Sequence, residues 1–168
     1  IVLENLTDLK DYCYIVAGIV GEMLTEIFIE NNEKLETSKS EAMAKAAYFG
    51  EGLQLTNIIK DCYSDEKAKR RYIPQNMSIR EIIDIAENDL IEAVSYINLT
   101  KKRGADKGLV GFLSLPVMLA FATLSEIKLR GPGSKIGRNQ VDQALSAMER
   151  LIRKRGEIEI NDLRLVLS

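Results

Sequence analysis

Gln54, Asn57, Asp61 and Asp65 are spaced three, four and four residues apart in an otherwise apolar stretch. In a helix that spacing lines them along one face. Two carboxylates at i and i+4 repel, and near a helix C-terminus the backbone dipole disfavours them further. A bound divalent cation reverses both penalties. Magnesium suits the pattern, because it takes oxygen ligands, commonly one or two carboxylates, and completes its shell with water and substrate phosphate. Lys67, Lys69, Arg70 and Arg71 follow directly. A magnesium–diphosphate pair needs this combination, acids for the metal and bases for the phosphates. The same residues also fit a solvated helix end followed by an exposed basic loop, since D-x-x-x-D is a weak pattern by itself.

Composition limits the other chemistries. The chain has 168 residues and no histidine, which excludes Ser-His-Asp and Cys-His catalysis and imidazole-based zinc sites. Acid–base work falls to Asp, Glu, Tyr, Lys or solvent. With 23 basic and 25 acidic residues, the net charge of −2 argues against a nucleic-acid partner. Hydrophobic residues make up 46%, enough for a sizeable core in a single domain over 1–168. Cys13 and Cys62 cannot form a disulfide framework and read as reduced, buried thiols of a cytoplasmic protein.

The elements that must position the polar stripe read as helices almost throughout, an all-α fold. Leu9, Tyr12, Val16, Ile19, Met23 and Ile27 repeat at helical spacing from Asp8 to about Asn31. Gly18 and Gly21 inside that helix suggest a bend or a close approach to a neighbour. Residues 31–39 read as a loop. Ser38 with Glu41 suggests a capping box opening the stripe-bearing helix, which runs to about Ser64. A charged loop over 65–77 leads to a second capping box, Ser78 with Glu81, and a helix to about Lys102. Leu109 to Leu129 is apolar all round, as expected for a central helix, with Phe112, Pro116 and Phe121 expected in the core. Its apolar run ends at Leu124, is interrupted by Pro116, and falls short of the ~20 residues of a membrane span. After Arg130-Gly-Pro-Gly133, Asn139 is the expected cap of a helix over 141–154, and Asn161 of a short final one.

Four segments together resemble the squalene/phytoene synthase family. QLTNIIKDCYSD (54–65) followed by RRYIP (70–74) looks like its second aspartate-rich motif. YCYIVAGIVG (12–21) resembles its tyrosine–cysteine signature. FLSLPVMLAFATL (112–124) is similar to the apolar helix of squalene synthases, and KIGR (135–138) to the short basic motif after it. The segments keep the family's order and approximate spacing.

The resemblance implies an all-α isoprenoid-synthase bundle around a central cavity. It implies head-to-head joining of two prenyl diphosphates, farnesyl or geranylgeranyl, through a cyclopropyl intermediate. Asp61 and Asp65 would then be magnesium ligands and Gln54 and Asn57 would line the same site. Arg70 would contact diphosphate, and Tyr12 would stand beside the reacting carbons. Lys135 and Arg138 match positions linked to a reduced nicotinamide cofactor, NADPH, in squalene synthases. Peripheral membrane association is expected for an enzyme with an apolar product.

The sequence also departs from the family. Lys60 replaces the usual arginine, Ser64 a frequent acid, and Lys69 the usual glycine before Arg70. No counterpart of the family's first aspartate motif precedes Tyr12. The expectation is therefore a C-terminal portion of the bundle, incomplete at its N-terminus, in which the 168 residues alone are inactive. A non-catalytic member of the same fold, acting as an interaction or assembly partner, is the alternative reading.

Overall fold

A computed structural model describes residues 1–164. Leu6–Cys13 (α1), a π-helical turn Tyr14–Gly18 and Ile19–Glu30 (α2) form one continuous rod. Glu33–Glu36 (α3) is a single turn. Lys39–Lys67 (α4), Ile79–Lys102 (α5) and Lys107–Arg130 (α6) are the long helices, followed by Arg138–Leu151 (α7) and Ile160–Leu163 (α8). The all-α class is as the sequence implied.

Helix α4 is the axis of the bundle, touching α1, the π turn, α2, α5 and α6. Its Ala42, Ala46, Phe49, Leu55, Ile58 and Ile59 are buried. Small residues let the α1–α2 rod lie almost on its backbone. A Cβ added at Gly21 would run into the Ala46 carbonyl, and one at Gly50 into the Ala17 carbonyl. The expected close approach at Gly21 is thus met from α4. Thr25 on α2 and Tyr96 on α5 share a buried 2.7 Å hydrogen bond, and Phe49 meets the Tyr96 ring edge-on at 5.9 Å.

The π turn changes which residues the rod buries. Leu9, Cys13, Gly18, Gly21, Thr25 and Ile29 face the core, with a five-residue step between Cys13 and Gly18. The Ile19 N–H reaches back five residues to the Tyr14 carbonyl. That step rotates the register, so the anticipated stripe splits. Leu9 is buried, whereas Val16, Ile19, Met23 and Ile27, with Ile15 and Val20, are exposed.

Several boundaries differ from the sequence reading. The 31–39 segment contains α3, capped by the Asn32 side chain accepting from the Lys34 N–H. Ser38 precedes α4 but makes no side-chain cap, because its N–H already closes the α3 turn onto Leu35 and its backbone is not extended. Helix α4 continues to Lys67, so Asp65 lies within it. The Ser78–Glu81 capping box is present in both directions, at 3.2 and 2.7 Å.

Pro116 does not interrupt α6. It removes one backbone bond, and the helix continues for all 24 residues, long and apolar enough to cross a bilayer by length and composition. So is the Leu6–Glu30 rod. Most of the apolar window of α6 is nevertheless buried inside the bundle. Phe121 is buried as expected, but Phe112 is 55% exposed, edge-on to Phe28.

Gly137, not Asn139, precedes α7; the Gln140 side chain accepts from its N–H at 2.6 Å. Glu159, not Asn161, precedes α8, with Asp162 accepting from its N–H at 2.7 Å. In both cases an acceptor three residues on folds back to the chain entering the helix, leaving the asparagine inside the first turn.

Candidate functional site

The last four turns of α4 carry Gln54, Asn57, Asp61 and Asp65 on one continuous helix, as the spacing required. Asn57 is exposed and the other three are half-buried. Two ammonium groups hold Asp61. Lys60 Nζ lies 3.3 Å from Oδ2 and donates to Asn57 Oδ1 at 2.7 Å. Lys135 Nζ, from the segment after α6, lies 3.1 Å from Oδ1. Asp61, nearly two turns before the end of α4, thus draws positive charge from two elements.

Lys135 reaches Asp61 because of a tight turn. Pro132 and Gly133 occupy its centre, Gly133 has φ +82°, and the Ser134 N–H returns to the Gly131 carbonyl at 3.3 Å. Proline followed by a positive-φ glycine is the sequence of a type II turn. The Gly133 N–H points to the Ile59 carbonyl of α4 at 3.4 Å, and Gly133 packs directly on the Tyr63 ring.

Asp65 belongs to the other side of the site. Tyr12, from α1, stacks against Tyr72 with ring centroids 4.9 Å apart. Burial, then the Tyr72 hydroxyl, then nearby negative charge including Asp65, pushes the Tyr12 phenol up to about 12. Asp65, Arg70, Arg71 and Tyr72 line a narrow cleft with Ile58 and Cys62. The 69–73 return is fixed by the Arg70 N–H donating to the Asp65 carbonyl at 2.9 Å and by Arg71 pairing with Ile1 and Leu3. Lys69, at the family's glycine position, adopts φ +57°. Arg70 itself is exposed.

The structure therefore brings Arg70 to Asp65 and Lys135 to Asp61, and sets Tyr12 against Tyr72 of the same return. Arg138 stands apart from the aspartates. It and Lys135 line a cleft of about 620 Å³ between the end of α6 and the start of α7, together with Arg130 and Gln143. The acid in that lining, Glu126, is taken by Arg130 at 2.6 Å and Gln140 at 3.2 Å.

Sequence reasoning missed the buried carboxyls. Glu51 of α4 and Asp89 of α5 are both buried, and one oxygen of Asp89 has no hydrogen-bond partner. Burial raises Asp89 to about 7, with Lys10 opposing and Glu51 and Glu92 reinforcing. Burial also raises Glu51, again against Lys10. Cys13 is buried as expected but Cys62 is only half-buried; burial pushes the Cys13 thiol up to about 12 and raises Cys62. Glu51 beside two glycines on an apolar face was the available signal.

Among the described residues no group of three or more acidic or cysteine side chains forms a closed metal cluster. Asp61 and Asp65, one turn apart on α4, fit a part of a magnesium shell that leaves room for water and phosphate.

Comparison with known proteins finds one family repeatedly. The family described as "Squalene/phytoene synthase" matches residues 2–80, which include Tyr12, the α4 stripe and Arg70 but not Lys135 or Arg138. Squalene synthase ERG9 of Candida albicans is 29% identical over 150 residues, covering 74% of this chain and 33% of the relative. Squalene synthase ERG9 of Gibberella zeae is 28% identical over 148 residues, covering 77% and 32%. A probable squalene synthase of Neurospora crassa is 30% identical over 148 residues, covering 77% and 30%. The chain spans about a third of the length of these curated relatives. On the match over residues 2–80, the relatives and the all-α bundle around the α4 motif, this chain is similar to the squalene/phytoene synthase family.

Proposed function

We propose that the full-length protein joins two prenyl diphosphates head to head, as a transferase of the squalene or phytoene type. The observation that carries this reading is the cleft at the end of α4, where Asp65 meets the Arg70–Tyr72 return on which Tyr12 stacks. Asp61 and Asp65 would hold magnesium, with Asn57 and Gln54 orienting its water and phosphate ligands. Bound magnesium would neutralise diphosphate charge and make it a competent leaving group. Arg70, exposed beside Asp65, would bind the departing diphosphate and stabilise the charge that develops on it.

Tyr12 remains a neutral phenol at physiological pH, so it would act near a developing carbocation as a hydroxyl dipole and a π surface, not as a phenolate. The exposed apolar residues Ile15, Val16, Ile19 and Met23, which continue the rod from Tyr12, would help exclude water from that cation. Lys135 and Arg138 would bind the phosphates of NADPH in the α6–α7 cleft. The enzyme would work in the cytoplasm at the periphery of a membrane, where an apolar product can leave.

The test is substitution in the full-length protein. Asp61→Asn and Asp65→Asn should each lower kcat/KM for farnesyl or geranylgeranyl diphosphate by about 10²–10³-fold while leaving the helical circular dichroism unchanged. Full turnover by the double variant would remove the aspartates from the chemistry.

A further inference from the structure

Lys135 belongs to two sites at once. Its ammonium sits on Asp61 Oδ1, while the residue also lines the α6–α7 cleft with Arg130 and Arg138. Its backbone is fixed, since the type II turn at Pro132–Gly133 is seated on the Ile59 carbonyl and the Tyr63 ring of α4. Its side chain is 65% exposed and, among the described residues, is held by a single ion pair. Lys60 differs. It shares α4 with Asp61 and also bonds Asn57, so it has a local anchor that Lys135 lacks. A cation arriving at Asp61 repels both ammonium groups, and Lys135 is the one free to swing from a fixed base into the cleft.

The geometry points to Lys135 as the coupling residue between the aspartate stripe and the α6–α7 cleft. Cation binding at Asp61 releases Lys135 to a polyanionic dinucleotide, and the dinucleotide in turn draws Lys135 off Asp61. The coupling is reciprocal by thermodynamic necessity. It rests on the proposed function, in which Asp61 binds magnesium and the cleft binds NADPH, and adds that each site strengthens the other.

The experiment is NADPH binding to the full-length protein by nucleotide fluorescence, with and without magnesium and without prenyl substrate. Wild type should bind NADPH about 2–5-fold more tightly with magnesium, the range expected for one partly exposed ion pair. Asp61→Asn, which releases Lys135 permanently, should bind in metal-free buffer as tightly as wild type does with magnesium, and should not respond to the metal. Lys135→Met should bind more weakly and also not respond; Lys135→Arg should restore the response. Tight wild-type binding indifferent to magnesium, or a full response in Lys135→Met, overturns the coupling and leaves the proposed chemistry standing. No NADPH binding by folded wild type, with intact turnover to a hydrocarbon, overturns the cofactor role of the cleft and the coupling with it. Absence of both binding and turnover overturns the functional reading itself.

Discussion

At the scale of single residues, function and stability pull α4 in different directions. Asp61 and Asp65 lie toward the helix end that disfavours them, and Asp61 is compensated by Lys60 and Lys135. Glu51, three turns earlier, is buried with Asp89. A carboxyl raised to about 7 in the folded state and ordinary when unfolded binds its proton more tightly when folded. Stability should then fall as pH rises from about 4 through about 7, and level off above. Asp89→Asn should flatten that decline and raise stability at pH 8 by roughly 1–3 kcal/mol, read by denaturant titration across the range. An unchanged pH slope in Asp89→Asn would place the titration elsewhere. The polar stripe was legible because helical spacing alone aligns it. Asp89 was not, because its burial depends on Gly52 admitting α5 close to α4, a tertiary fact. Lys135 was legible as a basic residue near Arg138, but its contact with Asp61 depends on where a turn is seated.

At the scale of elements, the π turn and the left-handed Lys69 are the departures from regular geometry nearest the site. A five-residue step inside YCYIVAGIVG moves the buried face of the rod, which periodicity counted at 3.6 residues cannot anticipate. Helix existence, the long helices and the Ser78–Glu81 box were readable from local sequence. The caps at Gly137 and Glu159 were not, because the decisive acceptor lies three residues inside the helix. Lys69 carries a Cβ in a conformation that glycine adopts without strain. Lys69→Gly should therefore stabilise the protein by about 0.5–1 kcal/mol, measured as an increase in the denaturant midpoint without a change in slope. A decrease would mean that the lysine side chain contributes more than the strain costs. At Gly21 the sign reverses: Gly21→Ala should destabilise by about 1–3 kcal/mol, because α2 must retreat from the Ala46 carbonyl, and a neutral effect on the thermal midpoint would contradict that close packing.

At the scale of the molecule, α4 is held between the α1–α2 rod and α5–α6, and it presents its polar stripe beside an exposed apolar face. Ile15, Ile19, Met23 and Ile27 are exposed along that face among the described residues. We expect the 168-residue chain alone to show no turnover with prenyl diphosphates; measurable product from it would mean that the stripe and the rod suffice. The most direct measurement incubates the full-length protein with farnesyl and with geranylgeranyl diphosphate and magnesium, with and without NADPH, and analyses the extracted hydrocarbons by mass spectrometry. The expected result is a product with twice the carbons of one substrate, joined head to head, and reduced only with NADPH if the product is squalene. A folded protein that binds magnesium yet gives no such product from either substrate would contradict it.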